Sequence, residues 1–129
     1  MIPIKVLVPS GVLGLGFNYE ALRHGIKNNP DIISIDGGST DSGPYSLGSG
    51  TSKYSRAAIK AEWKSLMIAR AEANVPLVIG SCGTCGTNGM VDWMENITIE
   101  LAEELNQHLK IAKLYCDQEK NYIKKNYKL

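Results

Sequence analysis

Short apolar runs rich in β-branched residues alternate in this chain with longer segments whose apolar residues recur every three or four positions. The runs at 4–10, 31–36, 75–81 and 110–116 have the length and composition of buried strands. The segments between them have the apolar period of helices, and the tail after the last run reads as one further helix. This order predicts an α/β fold, a three-layer sandwich in which helices cover both faces of a parallel, Rossmann-like sheet of about four strands.

Polar caps place two of the helices. Asn18 is expected to cap a helix over 18–29, and Ser55 to cap a helix that runs to about Asn74. Apolar residues at helical spacing mark the faces that should pack against the sheet: Ile59, Trp63, Leu66 and Met67 in the second of these helices, and Met94, Ile97, Leu101 and Leu105 in a third.

The length of 129 residues suits one domain that spans 1–129. A formal net charge of +1 argues against a nucleic-acid or membrane-surface partner recruited by bulk charge, and the basic stretch 119–129 is expected to be a solvated tail or helix. No apolar stretch approaches the roughly 18 residues of a membrane span. Because the first residues lack the pattern of a signal peptide, we expect a cytoplasmic protein with reduced cysteines.

Three glycine-rich loops follow the first three predicted strands. They are SGVLGLGF from Ser10, DGGSTDSGPYSLGSG from Asp36 and GSCGTCGTNG from Gly80, and they hold all of the 13 glycines except Gly25. The second loop is far longer than the usual connection of about 2–6 residues. The carboxyl ends of parallel strands form the edge where open α/β sheets bind ligands, so we expect the three loops to form one binding cleft.

Acidic and hydroxyl side chains in the second loop are the candidates for catalysis. Asp36 and Asp41 are able to ligate Mg²⁺ or a similar hard cation, or to act as general acid and base. The alternative is that both accept hydrogen bonds from loop amides, as in Asx turns. Tyr45 is a third candidate in the same loop.

Basic residues at the end of the long loop are candidates for binding an anion. Lys53 and Arg56 are placed to pair with a carboxylate or a phosphate, and the alternative is that they are surface charges. Polar or glycine positions of the loops complete the predicted binding set, in which backbone N–H groups turn toward the ligand. That set is Ser10, Gly11, Gly14, Gly38, Ser39, Thr40, Ser42, Ser81, Gly83 and Cys85.

The sequence CGTCG in the third loop is a C-x-x-C pair. Cys82 and Cys85 suit a redox pair, with Cys82 as a candidate nucleophile, or one half of a metal site. No second C-x-x-C accompanies them, and His24 and His108 lie in or beside predicted helices and are expected to be structural. We favour a closely packed loop wall that contacts ligand through its backbone and one thiol, and we expect no disulfide between the pair.

The first loop partly matches a dinucleotide-binding fingerprint. Its glycines run Gly11, Gly14, Gly16, in the order G-x-x-G-x-G rather than the usual G-x-G-x-x-G. Asp36 lies 20 residues after Gly16, where a ribose-binding acid is expected. Asp36 also opens a 15-residue polar loop that a nicotinamide site does not need. The pattern therefore argues against NAD and leaves a divalent metal or a CoA ester open as cofactor.

Three segments, VLVPSGVLGLGF, IDGGSTDSGPYSLGSGTSKYSRAAIKAEW and PLVIGSCGTCGTNGMVDW, carry a resemblance over about residues 4–95. They resemble the N-terminal part of the acyclic terpene utilisation (AtuA-like) family, most specifically in GGSTDSGPY and TSKYSRAA. Proteins of that family are several hundred residues long and are associated with bacterial catabolism of organic acids or acyl-CoA-linked compounds. The resemblance implies that this chain is a domain or subunit of such an enzyme, and it assigns no catalytic residue.

These observations favour an enzyme domain or subunit that binds a small organic anion, with lyase, hydratase or isomerase chemistry. A non-catalytic binding or regulatory module is the first alternative, and a nucleotide- or nicotinamide-binding domain is the second. A parallel sheet of four strands has two open edges, which natural proteins cover. We therefore expect a homo-oligomer, most simply a two-fold dimer, or a partner chain that supplies the rest of the enzyme.

Overall fold

The computed structural model describes residues 2–38, 42 and 44–127. In that part of the chain, three strands form one sheet of order β1-β2-β3, and every pair is parallel. The predicted α/β class and parallel sheet are thus confirmed. The elements, in chain order, are β1 (Val6–Leu7), α1 (Tyr19–Lys27), β2 (Ile32–Asp36), α2 (Pro44–Ser49), α3 (Arg56–Ala73), β3 (Leu77–Gly80), α4 (Asn88–Glu104) and α5 (Lys120–Asn126).

The caps of α3 agree with the prediction. Ser55 precedes the helix, and its hydroxyl oxygen accepts a hydrogen bond from the backbone N–H of Ala58 at 3.2 Å. Asn74 ends the helix in the left-handed conformation with φ 54°.

Helix α2 was not predicted. It begins at Pro44 inside the long second loop, where a proline at the first helical position suits the helix because its missing N–H would have no partner in the helix.

The helices α1, α3 and α4 form a single layer on one face of the sheet. Two right-handed crossovers that step in the same direction, from β1 to β2 and on to β3, place α1 and α3 on the same side. Helix α3 contacts α1, α4 and β3. Ile33 and Ile35 on β2 are buried under this layer, whereas Val6 and Val78 on the other face are exposed. The described residues therefore form two layers, and the three-layer, four-stranded sandwich is not confirmed.

The predicted fourth strand at 110–116 is wrong, because these residues form no strand. Residues 109–117, here called the strap, run back along α4 from its end to its beginning. Lys113 donates hydrogen bonds to Asp92 Oδ1 at 3.0 Å and Glu95 Oε2 at 2.7 Å, and the Asp117 carboxylate accepts one from Asn88 N at 3.2 Å. Lys113 and Asp117 of the strap thus form their hydrogen bonds with α4 and not with the edge of β3.

Ion pairs join the exposed sides of α3 and α4. Arg56 donates to Glu100 at 2.7 Å, Lys60 lies between Glu100 and Glu104, and Lys64 donates to Glu104 at 2.9 Å. Hydrogen bonds from Lys60 and then Lys64 lower the pKa of Glu104 to about 2. Because all of these groups are partly exposed, salt screens the pairs, and each pair contributes little to stability.

Candidate functional site

The three glycine-rich loops meet at the carboxyl edge of the sheet, and the binding cleft expected between them stays a prediction. We call residues 10–17 loop 1, residues 37–55 loop 2 and residues 81–87 loop 3. Backbone hydrogen bonds join loop 1 to the end of β2 (Leu13 N to Asp36 O, 2.8 Å), loop 2 to the end of β3 (Gly37 N to Gly80 O, 2.7 Å) and loop 3 to loop 2 (Thr84 N to Gly37 O, 3.2 Å). The loops therefore form one connected surface at the edge where open parallel sheets bind ligands.

Thr84 is the buried centre of this surface. Its side chain is 1% exposed, and its hydroxyl oxygen accepts a hydrogen bond from Lys53 N at 3.0 Å. Its backbone N–H bonds to Gly37 at the other end of loop 2. Gly38 lies directly against it, since a Cβ placed on Gly38 would be 2.1 Å from Thr84 Cα. Thr84 thereby fixes both ends of the long loop.

Loop 3 holds its shape in a sparsely populated backbone conformation. Positive φ angles occur at Ser81 (48°), Gly83 (58°), Thr84 (76°) and Gly86 (67°). For a β-branched residue such as Thr84 this conformation is a genuine outlier, at a cost of about 1–3 kcal/mol. Such strain persists where the surrounding structure fixes it, and it is concentrated at ligand sites and active sites.

A buried carboxylate on α3 holds loop 1 in place. Glu62 on α3 is 6% exposed, and its two oxygens accept hydrogen bonds from Gly14 N at 2.6 Å and Gly16 N at 2.7 Å. Gly14 has φ 106°, and a Cβ there would lie 2.7 Å from the Tyr54 ring. The two amides that a dinucleotide phosphate would use are thus occupied by a negative charge, and this arrangement argues against a phosphate on loop 1.

Asp36 is half-buried at the end of β2. Its Oδ1 accepts a hydrogen bond from Gly38 N at 3.0 Å, which is the Asx-turn geometry considered as the alternative to catalysis. Asp36 is in register with Gly80, and the alternation of side chains along β2 places its carboxylate on the face opposite the helices. It remains at the loop surface, where a ligand would meet it.

Lys53 is the cation of the loop surface. Its ammonium donates to Ser42 Oγ at 3.2 Å and lies 5.9 Å from the centre of the Tyr54 ring. Arg56, the other predicted anion-binding residue, is instead paired with Glu100 on α4. Lys53 is therefore the better placed of the two to receive an anionic ligand.

The other predicted residues occupy different parts of the surface. Ser10 is half-buried and its hydroxyl lies 3.4 Å from the backbone of Val12, while Gly11 is exposed. Tyr45 on α2 is exposed to solvent. A Cβ on Gly83 would be 2.5 Å from the sulfur of Met90, so this glycine allows loop 3 to pack on α4. Asp41, Ser39 and Thr40 lie outside the described residues.

The three cysteines are free thiols in different environments. Cys82 is buried in the hydrophobic core, and burial raises the pKa of its thiol. A protonated, buried thiol is a poor nucleophile at neutral pH, so the geometry favours a packing role for Cys82. Cys85 is half-buried, with its Sγ 3.6 Å from Thr87 Oγ1. Across residues 2–38, 42 and 44–127, no cluster of His, Cys, Asp and Glu is placed to hold a metal ion.

Sequence reasoning missed Glu62 and Thr84. Glu62 could have been found, because it follows Ile59 by three positions and precedes Trp63, so it is an acid on the side of α3 that faces the sheet. Thr84 gives no such signal, since its role depends on a left-handed φ angle that threonine rarely adopts.

Comparisons with protein-family models, curated proteins and solved structures found no match to this chain. The resemblance to the AtuA-like family therefore stays a prediction. Within the described part of the chain, no helix has both the length and the apolar character that crossing a membrane requires.

Proposed function

We propose that the loop surface binds a small organic anion, a carboxylic acid or an acyl-CoA-type compound, and that the chain is a domain or subunit of an enzyme acting on it. The observation that carries this proposal is the meeting of three loops at the carboxyl edge of parallel strands, where loop 1 bonds to the end of β2 and one buried, strained residue, Thr84, joins loops 2 and 3. A connected, pre-shaped loop surface at this edge is typical of ligand sites in α/β proteins.

In this proposal, Lys53 and Asp36 have complementary roles. The Lys53 ammonium, which donates to Ser42 in loop 2, pairs with the ligand's carboxylate or phosphate. Asp36 is the general acid or base of a lyase, hydratase or isomerase reaction, with Tyr45 as a second proton donor. Asp36 and Asp41 are the proposed ligands of a divalent cation in a reaction that uses one.

Thermal-shift measurements with carboxylates, CoA esters, nucleotides and divalent cations test the binding step. A ligand at 100 times its Kd adds about 2.7 kcal/mol to the free energy of unfolding. We expect a carboxylate or CoA ester to raise the Tm of the wild type and to have no effect on Lys53→Met. Lys27→Met, which removes an exposed cation from the last turn of α1, is the matched control and should keep the full shift.

Asp36→Asn separates an enzyme from a non-catalytic binding module, the second candidate. The observation that favours the module is the Asx turn at Asp36, in which Oδ1 accepts a hydrogen bond from Gly38 N and so has a structural role. In an enzyme, Asp36→Asn retains the ligand-induced Tm shift and loses turnover. A ligand that stabilises the wild type without any chemical conversion indicates the module. Nucleotides as the sole stabilising ligands would contradict both readings.

A further inference from the structure

Within the described part of the chain, the sheet face opposite the helical layer leaves aliphatic side chains exposed, and Ser34 and Asp36 of β2 lie on the same face. Val6 on β1 is in register with Ile32 and lies on this face, and the exposed residues Ile4 and Val8 flank it two positions away on either side. The exposed fractions are 76% for Ile4, 54% for Val6, 59% for Val8 and 46% for Val78 on β3. Parallel sheets occur almost only with both faces covered, because strands of this composition lose stability when one face meets water. We call this face the open face. Burying its exposed aliphatic side chains against a partner surface would stabilise the sheet.

Helix α5 is an amphipathic helix that covers nothing in its own chain. None of its residues is buried, and Tyr122 and the adjacent Tyr127 are 60% and 70% exposed. Tyr122 and Ile123 lie on one side of α5 and its lysines on the other, and Tyr127 follows the helix as its C-terminal capping residue in extended backbone. An isolated helix of seven residues is marginal in water, because most helical stability comes from packing an apolar face. Like the open face, α5 needs a partner.

The strap holds the start of α5 on the side of the sheet where the helical layer lies. Asp117 is bonded in both directions to Asn88, at the start of α4 in the helical layer. Three residue steps separate Asp117 from Lys120, the first residue of α5, and they span at most about 11 Å. Passing from the helical layer through the sheet to its far side takes about 20 Å, at about 10 Å per layer.

We propose that two copies of this chain form a two-fold dimer in which α5 of each copy packs on the open face of the other. Each copy supplies one helix and one sheet face, so a single two-fold axis satisfies both unpartnered surfaces. The partner's helix then forms the second helical layer that a parallel sheet requires. The proposal is independent of the ligand that the loops bind.

The surface involved suits a stable dimer. The exposed aliphatic side chains of the open face and the tyrosines of α5 amount to roughly 1,000 Å² of apolar area over both copies. Because apolar atoms make up about 57% of a typical interface, the total is about 1,700 Å². That value lies within the standard interface size of about 1,200–2,000 Å².

Analytical ultracentrifugation of the full chain at micromolar concentration tests the dimer. We expect the wild type to have twice the 14.1 kDa mass of one chain. Val78→Lys on the open face and Tyr122→Asp on α5 should each raise the dimer dissociation constant at least about 30-fold, the effect of losing a central interface contact. Ile68→Lys, a change at an exposed apolar residue in the helical layer, is the matched control and should remain dimeric. Circular dichroism verifies that each variant is folded, and Tyr122→Asp leaves the core intact because α5 buries no residue.

Mixing the two interface variants identifies the occupant of the open face. A Val78→Lys copy keeps an intact helix, and a Tyr122→Asp copy keeps an intact face, so one of the two contacts is restored in the mixture. We expect a mixed dimer to form where each variant alone is monomeric. A monomeric wild type overturns the proposal, as does a Val78→Lys protein that dimerises like the wild type. Loss of dimers in both variants without recovery on mixing also overturns it, as does a Tyr122→Asp protein that dimerises like the wild type, which is the result that direct sheet-to-sheet packing would give.

Discussion

Replacing Glu62 by glutamine should destabilise the fold through loop 1. The wild-type carboxylate is buried and accepts two backbone hydrogen bonds, from Gly14 and Gly16. Glutamine has nearly the same shape, yet its NH₂ group faces one of the two amides and leaves that N–H without an acceptor. An unsatisfied buried amide costs about 1–3 kcal/mol, and the remaining bond loses its charge assistance, so we expect a loss of about 2–4 kcal/mol.

Urea unfolding followed by circular dichroism measures this effect. With a slope of about 2 kcal/mol per molar urea, the middle of the usual range for a small protein, the midpoint should fall by about 1–2 M. Glu72→Gln is the matched control, because Glu72 is exposed on the same helix. Hydrogen exchange at the Gly14 and Gly16 amides should accelerate in Glu62→Gln alone. Equal midpoints for the two variants would refute the argument that Glu62 holds the loop.

Three further outcomes follow from the described contacts. Gly38→Ala should lower the unfolding free energy by more than about 2 kcal/mol because its Cβ meets backbone, whereas Gly48→Ala, with open space around it, should be neutral or stabilising in urea titrations. The pKa of Glu104 is lowered from 4.5 to about 2 in the folded protein. The ionised Glu104 therefore stabilises the fold fully above pH 4.5, and this contribution is lost as the pH falls toward 2. Glu104→Gln should make the free energy of unfolding less dependent on pH between these values. In timed alkylation at neutral pH read by mass spectrometry, exposed Cys116 should react well before buried Cys82, and equal rates would contradict the burial argument.

Local patterns sufficed to predict the parts of the fold that depend on them. The apolar β-branched run at 31–36 became β2, and the cap at Ser55 became the start of α3. The run at 110–116 has the same composition and forms no strand. The polar side chains that alternate along this run find their partners on α4, where Lys113 pairs with two carboxylates. A period of two predicts an extended chain with two different sides, and it does not specify which neighbour the chain lies against.

The candidate site was predictable in its location and less so in its parts. Glycine-rich loops after parallel strands place the site at the carboxyl edge, and the loops do meet there. Whether a glycine amide is free or occupied depends on residues far away in sequence, as with Gly14 and Glu62, which are 48 positions apart. Arg56 likewise lies near the site in sequence, but the position of Glu100 on α4 determines its partner.

The loop surface is held in place by elements that come later in the chain. Glu62 on α3 fixes loop 1, and Thr84 beyond β3 fixes both ends of loop 2. The contacts that arrange Asp36 and Lys53 join residues 31 to 48 positions apart. Loop closure over these separations must therefore take place before the two side chains are in position. Partly folded chains that retain β1 and β2 would expose these side chains without the geometry to use them. The arrangement of Asp36 and Lys53 in the folded protein thus depends on contacts from α3 and loop 3, which lie later in the chain.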